Sequence, residues 1–123
     1  MRKPRVLLFE QNELEAKEMI QRFVGQADVI HVSDHLKFLE EFKARRDDID
    51  YIVVEGSRRE GYEATAMIQA LRAEGFGGII LATTAGCDSM PATALLNAGA
   101  KYVCGKYAVQ RLILNCQDKL MNQ

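Results

Sequence analysis

Ile49-Asp50-Tyr51-Ile52-Val53-Val54-Glu55 is the stretch on which the fold turns. It follows a solvated turn, Arg45-Arg46-Asp47-Asp48, and runs apolar through Tyr51–Val54 before stopping at a carboxylate. A strand with one wet face alternates polar and apolar side chains. One that is apolar throughout is buried on both faces, as in a parallel sheet covered by helices. The same construction recurs. Val6-Leu7-Leu8-Phe9 runs into Glu10-Gln11, Ile79-Ile80-Leu81-Ala82 into Thr83-Thr84-Ala85, and Tyr102-Val103-Cys104 into Gly105-Lys106. Val29–Val32 reads as a further strand. In an open parallel sheet the carboxyl ends share one edge, where such folds bind ligands. That edge therefore holds two glutamates, a glutamine, one or two threonines and a lysine.

Helices alternate with these strands. Asn12 caps the first, with Glu15 three residues later in a capping-box-like pattern. Ala16, Met19, Ile20, Phe23 and Val24 recur on its inner face, and Gly25 stops it. Ser33 or Asp34 opens a second helix with Leu36, Leu39 and Phe42 inward. Glu55–Gly61 reads as a polar loop. The third helix turns Ala64, Met67, Ile68 and Leu71 inward, and the fourth follows Pro91 and ends at Ala98-Gly99. The last carries Val109, Leu112, Ile113, Cys116 and Leu120 inward. Five βα units of this length predict a doubly wound, flavodoxin-like (βα)5 fold, with a five-stranded parallel sheet between two helical layers. A single domain over residues 1–123 is expected, with no output domain.

Composition narrows the function. Of 123 residues, 48% are hydrophobic and 27% charged, as in an ordinary globular domain. A net charge of −1 gives no electrostatic case for nucleic acid or an anionic membrane. No apolar run approaches the ~20 residues of a membrane span, and the apolar stretch after Arg2-Lys3 is too short for a signal peptide. Cys87, Cys104 and Cys116 are odd in number and form no C-x-x-C pair, so reduced thiols in the cytoplasm are expected. His31 and His35 fall on different elements and read as packing or surface histidines, not metal ligands. No Ser/His/Asp, Cys/His or metal motif speaks for an enzyme.

Thr84-Ala85 at the end of a strand, Ala98-Gly99-Ala100 after a helix, and Lys106 placed 22 positions beyond Thr84 form one set. On these motifs the whole chain resembles a response-regulator receiver domain (CheY-like), the two-component phosphorelay module. The resemblance implies an acidic pair after the first strand that binds magnesium and an acceptor aspartate after the third. It also implies a threonine and a lysine contacting the phosphoryl oxygens. Glu10 and Gln11 stand at the acidic pair, Glu55 at the acceptor, and Thr84 and Lys106 at the phosphate contacts. Tyr102 takes the switch-aromatic place if Gly105 is a bulge, and Val103 takes it without one. Leu95 or Leu96, with Lys101, Tyr107 and Arg111, populates the face that in receivers meets a histidine kinase, an output domain or a second copy.

The departures set the functional expectation. Gln11 offers a neutral carbonyl where magnesium expects a carboxylate, so any metal binding is weak. Glu55 is one methylene too long for an attack geometry that depends on positioning. Its carboxylate can instead reach Lys106 and the Thr84 hydroxyl, a charge-assisted contact of about 1–3 kcal/mol. The expectation is a pseudo-receiver, a phosphorylation-independent interaction module with no catalytic cycle. The alternative is an unconventional regulator still binding magnesium and phosphorylated at Glu10/Glu55. Arg58-Arg59 reads as a solvated loop, with recognition of an anion as the other possibility. A flavodoxin-like cofactor binder would need a phosphate-cradling loop after the first strand, and Glu10-Gln11-Asn12-Glu13 is acidic and glycine-free.

Overall fold

A computed structural model describes residues 2–85 and 88–121. Its central sheet has the strand order β2-β1-β3-β6-β7. β1 is Arg5–Phe9, β2 Asp28–Val32, β3 Tyr51–Glu55, β6 Ile79–Thr84 and β7 Tyr102–Gly105, and all four pairings are parallel. The helices are α1 (Glu13–Gln21), α2 (His35–Arg45), α3 (Ala64–Ala73), α4 (Ala92–Ala98) and α5 (Val109–Met121). Between β3 and α3 lies a small antiparallel ribbon, β4 (Arg58–Arg59) against β5 (Tyr62–Glu63). The segment expected as a polar loop is therefore partly structured.

The period of two along each buried strand divides the core into two layers. Leu7, Phe9, Ile52, Val54, Ile80 and Ala82 meet Phe38, Phe42, Ile68, Leu71 and Leu95 from α2, α3 and α4. Val6, Leu8, Tyr51, Val53 and Leu81 meet Ala16, Met19, Phe23, Val109 and Ile113, from α1, its trailing turn and α5. The (βα)5 expectation holds, and the inner face of α3 is as the spacing predicts. The outer reaches of three other faces are not. Val24, Leu36 and Leu120 are all exposed, and Phe38 takes the place expected of Leu36. Asp34 caps α2 by accepting from the Leu36 and Lys37 N–H groups, and Phe38 and Phe42, four apart on one face, point inward.

Two glycines are needed for closeness or handedness. A Cβ on Gly56 would lie 2.3 Å from the Thr83 carbonyl oxygen, so only glycine lets β3 leave the sheet beside β6. Gly99 ends α4 at φ 128, and Ala100 then donates to the Leu95 carbonyl.

β1 lies between β2 and β3, so the chain reverses its winding direction there. Glu10 and Glu55 sit at the carboxyl ends on either side of that switch point, where an open α/β sheet offers a crevice.

Candidate functional site

Strand parity determines which side chains meet. Glu10 continues the Val6–Leu8 side of β1, and Glu55 continues the Tyr51–Val53 side of β3. Glu55 is paired in register with Thr83. Thr83 therefore shares the face of the two carboxylates, and its buried hydroxyl has no hydrogen-bond partner among the described residues. Thr84, the threonine expected here, alternates to the other side and pairs in register with Gly105. A cavity of about 180 Å3 at this edge is lined by Glu15, Glu55, Gly56, Ser57, Arg59, Thr83, Ala85, Asp88, Ser89 and Lys106.

Lys106 enters from the short 3-10 turn after β7. It is buried with its Nζ 2.8 Å from Glu10 Oε1 and also in contact with the Glu15 carboxylate. The expected Glu55–Lys106 contact is not formed. Glu10 is the nearer carboxylate, and it is fixed by the Asn12 N–H on Oε2 at 3.0 Å. The Glu10 backbone is held as well: its N–H donates to the Val32 carbonyl, and its own carbonyl lies 2.8 Å from His31 Nε2. His31 is thus a packing histidine, as expected. Glu15, which the sequence presents as a helix cap, sends its side chain to Lys106 instead. Only its N–H keeps the capping bond to Asn12 Oδ1.

Glu55 is held from the other side. Arg59 Nη2 donates to its Oε1 at 3.1 Å, and the Ser57 hydroxyl donates to its Oε2 at 3.2 Å. The Tyr62 hydroxyl donates to its backbone carbonyl at 2.8 Å. Arg59 also donates through Nη1 to Gln11 Oε1. The solvated-loop reading of Arg58-Arg59 therefore fails for Arg59, which spans the ends of β1 and β3. It holds for Arg58, which is exposed.

Glu10 and Glu55 directly follow the paired residues Phe9 and Val54, so their carboxyls end side by side on one face and each bears on the other's proton. Burial pushes Glu55 up to about 7, and its hydrogen bond to Glu10 and the charge there push the same way, against Arg59 and Ser57. Burial would raise Glu10 too, but it is outweighed by hydrogen bonds from Glu55, Lys106 and the Asn12 N–H, and Glu10 stays below the usual range. Below about pH 7 the two carboxyls hold one proton between them, and Glu55 is the one that keeps it. Burial would lower Lys106, yet its bonds to Glu10 and Glu15 raise it. With Glu55 protonated, the anions Glu10 and Glu15 balance the cations Lys106 and Arg59.

This arrangement does not suit the magnesium that the receiver resemblance implies. Such an ion needs oxygen ligands carrying net negative charge. Here Gln11 is neutral and already bonded to Arg59, Glu10 is paired with Lys106, and Glu55 is held by Arg59 and Ser57. Among the described residues, no group of three His, Cys, Asp or Glu side chains is arranged to hold a metal.

The remaining expected residues divide. β7 pairs with β6 without interruption, so Gly105 is not a bulge. Val103 then packs with the α2–α4 layer, and Tyr102 lies on the opposite face, its hydroxyl 3.9 Å from Cys116 Sγ. Tyr102 is thereby removed from the switch position. Leu95 is fully buried, so on the outward face of α4 it is Leu96 that is exposed. Tyr107 donates to Glu18 at 2.6 Å and lies under the Arg22 guanidinium, which draws it toward α1 and away from that face. Lys101 and Arg111 remain exposed. Cys87 lies outside the described residues. Among those described, no helix is long and apolar enough to cross a membrane.

The sequence matches no protein-family model and no curated protein. Solved structures do share the architecture. A two-component response regulator from Clostridium difficile aligns with TM-score 0.80 at 11% identity, covering 98% of this chain and 100% of that one. A response regulator receiver domain protein from Clostridium thermocellum gives 0.77 at 13%, covering 96% and 98%. A chain of the CheX–CheY–BeF3–Mg complex from Borrelia burgdorferi gives 0.78 at 13%, covering 92% and 88%. The chain has the flavodoxin-like fold of response-regulator receiver domains. At these identities the likeness speaks for the fold, and the site must be argued from its own residues.

Proposed function

We propose that this chain is a receiver-like signalling module that acts through protein contact and forms no acyl phosphate. The observation that carries this reading is the engagement of Glu55. One carboxyl oxygen accepts from Arg59, the other from Ser57, and the group faces Glu10 besides. A nucleophile for phosphoryl transfer needs a free oxygen lying in line with the phosphorus and a cation to gather the phosphate charge. Both Glu55 oxygens are engaged, and with its proton held to about pH 7 the group is only partly ionised at neutral pH. It serves as a structural carboxyl that ties β3 to the β4–β5 ribbon.

The partner is another protein: a histidine kinase, an output domain or a second copy, as the resemblance suggests. One structural neighbour is itself a complex of two proteins, CheX and CheY. Leu96, Lys101 and Arg111 form the contact face, in place of the buried Leu95. Incubation with magnesium and acetyl phosphate, followed by intact mass, tests the reading. An unchanged mass is expected. A stoichiometric phosphoryl adduct that is released by hydroxylamine would overturn it.

A further inference from the structure

α2 and α3 cover the same face of the sheet, and a groove of about 170 Å3 lies between them below the β4–β5 ribbon. Its floor is the buried Met67, and its sides are Leu39 from α2 and Ala66 and Ala70 from α3. The rings of His35 and Tyr62, 5.8 Å apart, close the ribbon end. A cavity of ~150 Å3 holds a benzene molecule, so this one takes a leucine-sized side chain. Leu36 belongs to the stripe that the sequence offers to the core, yet it stands 64% exposed one turn before Leu39. Along α3, Ala66, Ala70 and Ala73 recur at helical spacing and none is fully buried. Side chains this small let another helix approach closely. The stripe spans about 10 Å, roughly two helical turns.

Charge gives the occupant a sign and a direction. Glu63 lines the ribbon end, and Glu60 stands exposed in the turn beside it. Arg58 lies opposite Glu63 at 3.9 Å, and the Thr65 hydroxyl donates to the same carboxylate at 2.9 Å. Glu60 makes no ion pair among the described residues. At the far end of the two helices, Lys43 and Glu74 face each other at 3.9 Å and cancel. The groove is thus negative at the ribbon and neutral at its other end.

We propose that this groove docks an amphipathic helix of a partner protein, with a leucine-type anchor over Met67 and a basic amino-terminal turn against Glu60 and Glu63. The proposal rests on the reading of this chain as a module that acts through protein contact, and it adds a second surface to the α4 face. A helix with apolar side chains on one face fills such a groove. The positive end of its dipole and its own cations then meet the two carboxylates. Tyr62 joins the groove to the site: its ring packs 4.8 Å from that of Phe9, and its hydroxyl donates to the Glu55 carbonyl.

The test titrates wild type, Ala70→Gln and Glu60→Lys with a side-chain-stapled helix of about three turns. The probe carries leucines on one face and lysines in its first turn, and amide shifts are followed. Ala70→Gln fills the groove with a neutral side chain that suits a helix, and Glu60→Lys reverses a charge on the exposed turn. Wild type is expected to show saturable shifts at Leu39, Gly61, Met67 and Ala70. Ala70→Gln is expected to bind about ten- to a hundredfold more weakly, by loss of the leucine anchor. Glu60→Lys is expected to bind about threefold more weakly. The same helix with glutamates for lysines should bind wild type less well than the basic one. No saturable shift in wild type would overturn the proposal, as would shifts confined to Leu96, Lys101 and Arg111, or equal affinities in wild type and Ala70→Gln. A wild-type dimer in sedimentation that Ala70→Gln abolishes would assign the groove to a second copy and overturn it too. Intact mass after acetyl phosphate treatment separates the two claims. If the mass is unchanged and the helix does not bind, only the groove proposal falls. A phosphoryl adduct removes the reading of Glu55, and the titration still decides the groove.

Discussion

Replacing Glu55 by glutamine is expected to stabilise the protein at about pH 8 and to leave it nearly unchanged at about pH 5. The sign follows from the proton that Glu55 holds. In the unfolded chain a glutamate releases its proton near its ordinary value of 4.5, whereas in the folded site burial and the Glu10 charge keep it to about 7. Between those values folding takes up a proton, so stability falls as pH rises. The contribution is complete below about pH 4.5 and lost above about pH 7. A displacement of that size corresponds to about 3 kcal/mol at most, and relaxation of the site reduces it to about 1–3 kcal/mol. Glutamine supplies a permanent N–H donor toward Glu10 and an oxygen toward Arg59 or Ser57, so it reproduces the protonated carboxyl at every pH. Glu10 titrates in the opposite sense: its lowered value stabilises above about pH 4.5 and is lost only on further acidification, outside the window. Urea denaturation of wild type and Glu55→Gln at the two pH values gives the double difference. A wild-type stability that is flat or rising across the window, with no relative gain for Glu55→Gln at the higher pH, would refute the shared-proton account.

Lys106→Ala removes the buried cation from Glu10 and Glu15 and should cost about 3–5 kcal/mol in urea denaturation, because a buried carboxylate is left unmatched. Gly56→Ala should cost at least about 2 kcal/mol, since its methyl would meet the Thr83 carbonyl at 2.3 Å. Leu95→Ala should cost about 3–5 kcal/mol and Leu96→Ala less than about 1 kcal/mol, separating the core leucine of α4 from the exposed one. Tyr62→Phe should cost about 1–2 kcal/mol by leaving the buried Glu55 carbonyl without its donor, again read by denaturation.

What the sequence could and could not reveal follows from which interactions are local. The apolar runs ending at Glu10, Glu55 and Lys106 are local patterns, and they placed three groups at one sheet edge correctly. The parity of a strand is also local, and it carried the information that overrules Thr84. Counting by twos along Ile79-Ile80-Leu81-Ala82 puts Thr83 with Leu81, on the side of Val53 and Glu55. The likeness of Thr84-Ala85 to a family motif masked that count. Glu15 and Arg59 were beyond reach for a different reason. Each reaches the site through a side chain whose partner lies on another element, 91 positions away for Glu15 with Lys106 and 48 for Arg59 with Gln11. Nothing in the spacing of Arg58-Arg59 distinguishes the solvated arginine from the one in the site. The inward face of α2 was similarly hidden: Leu36, Leu39 and Phe42 make an acceptable stripe, and Phe38 with Leu39 and Phe42 makes another, which is the one that packs.

Internal cations satisfy this acidic edge, and one titration tests that most directly. Magnesium is added to the wild-type protein with and without beryllofluoride while the amide shifts of Glu10, Glu55, Thr83 and Lys106 are followed. The account predicts no saturable change at those four positions at millimolar metal. Saturable shifts at all four, strengthened by beryllofluoride, would contradict it and identify a site that still takes a metal and a phosphoryl group.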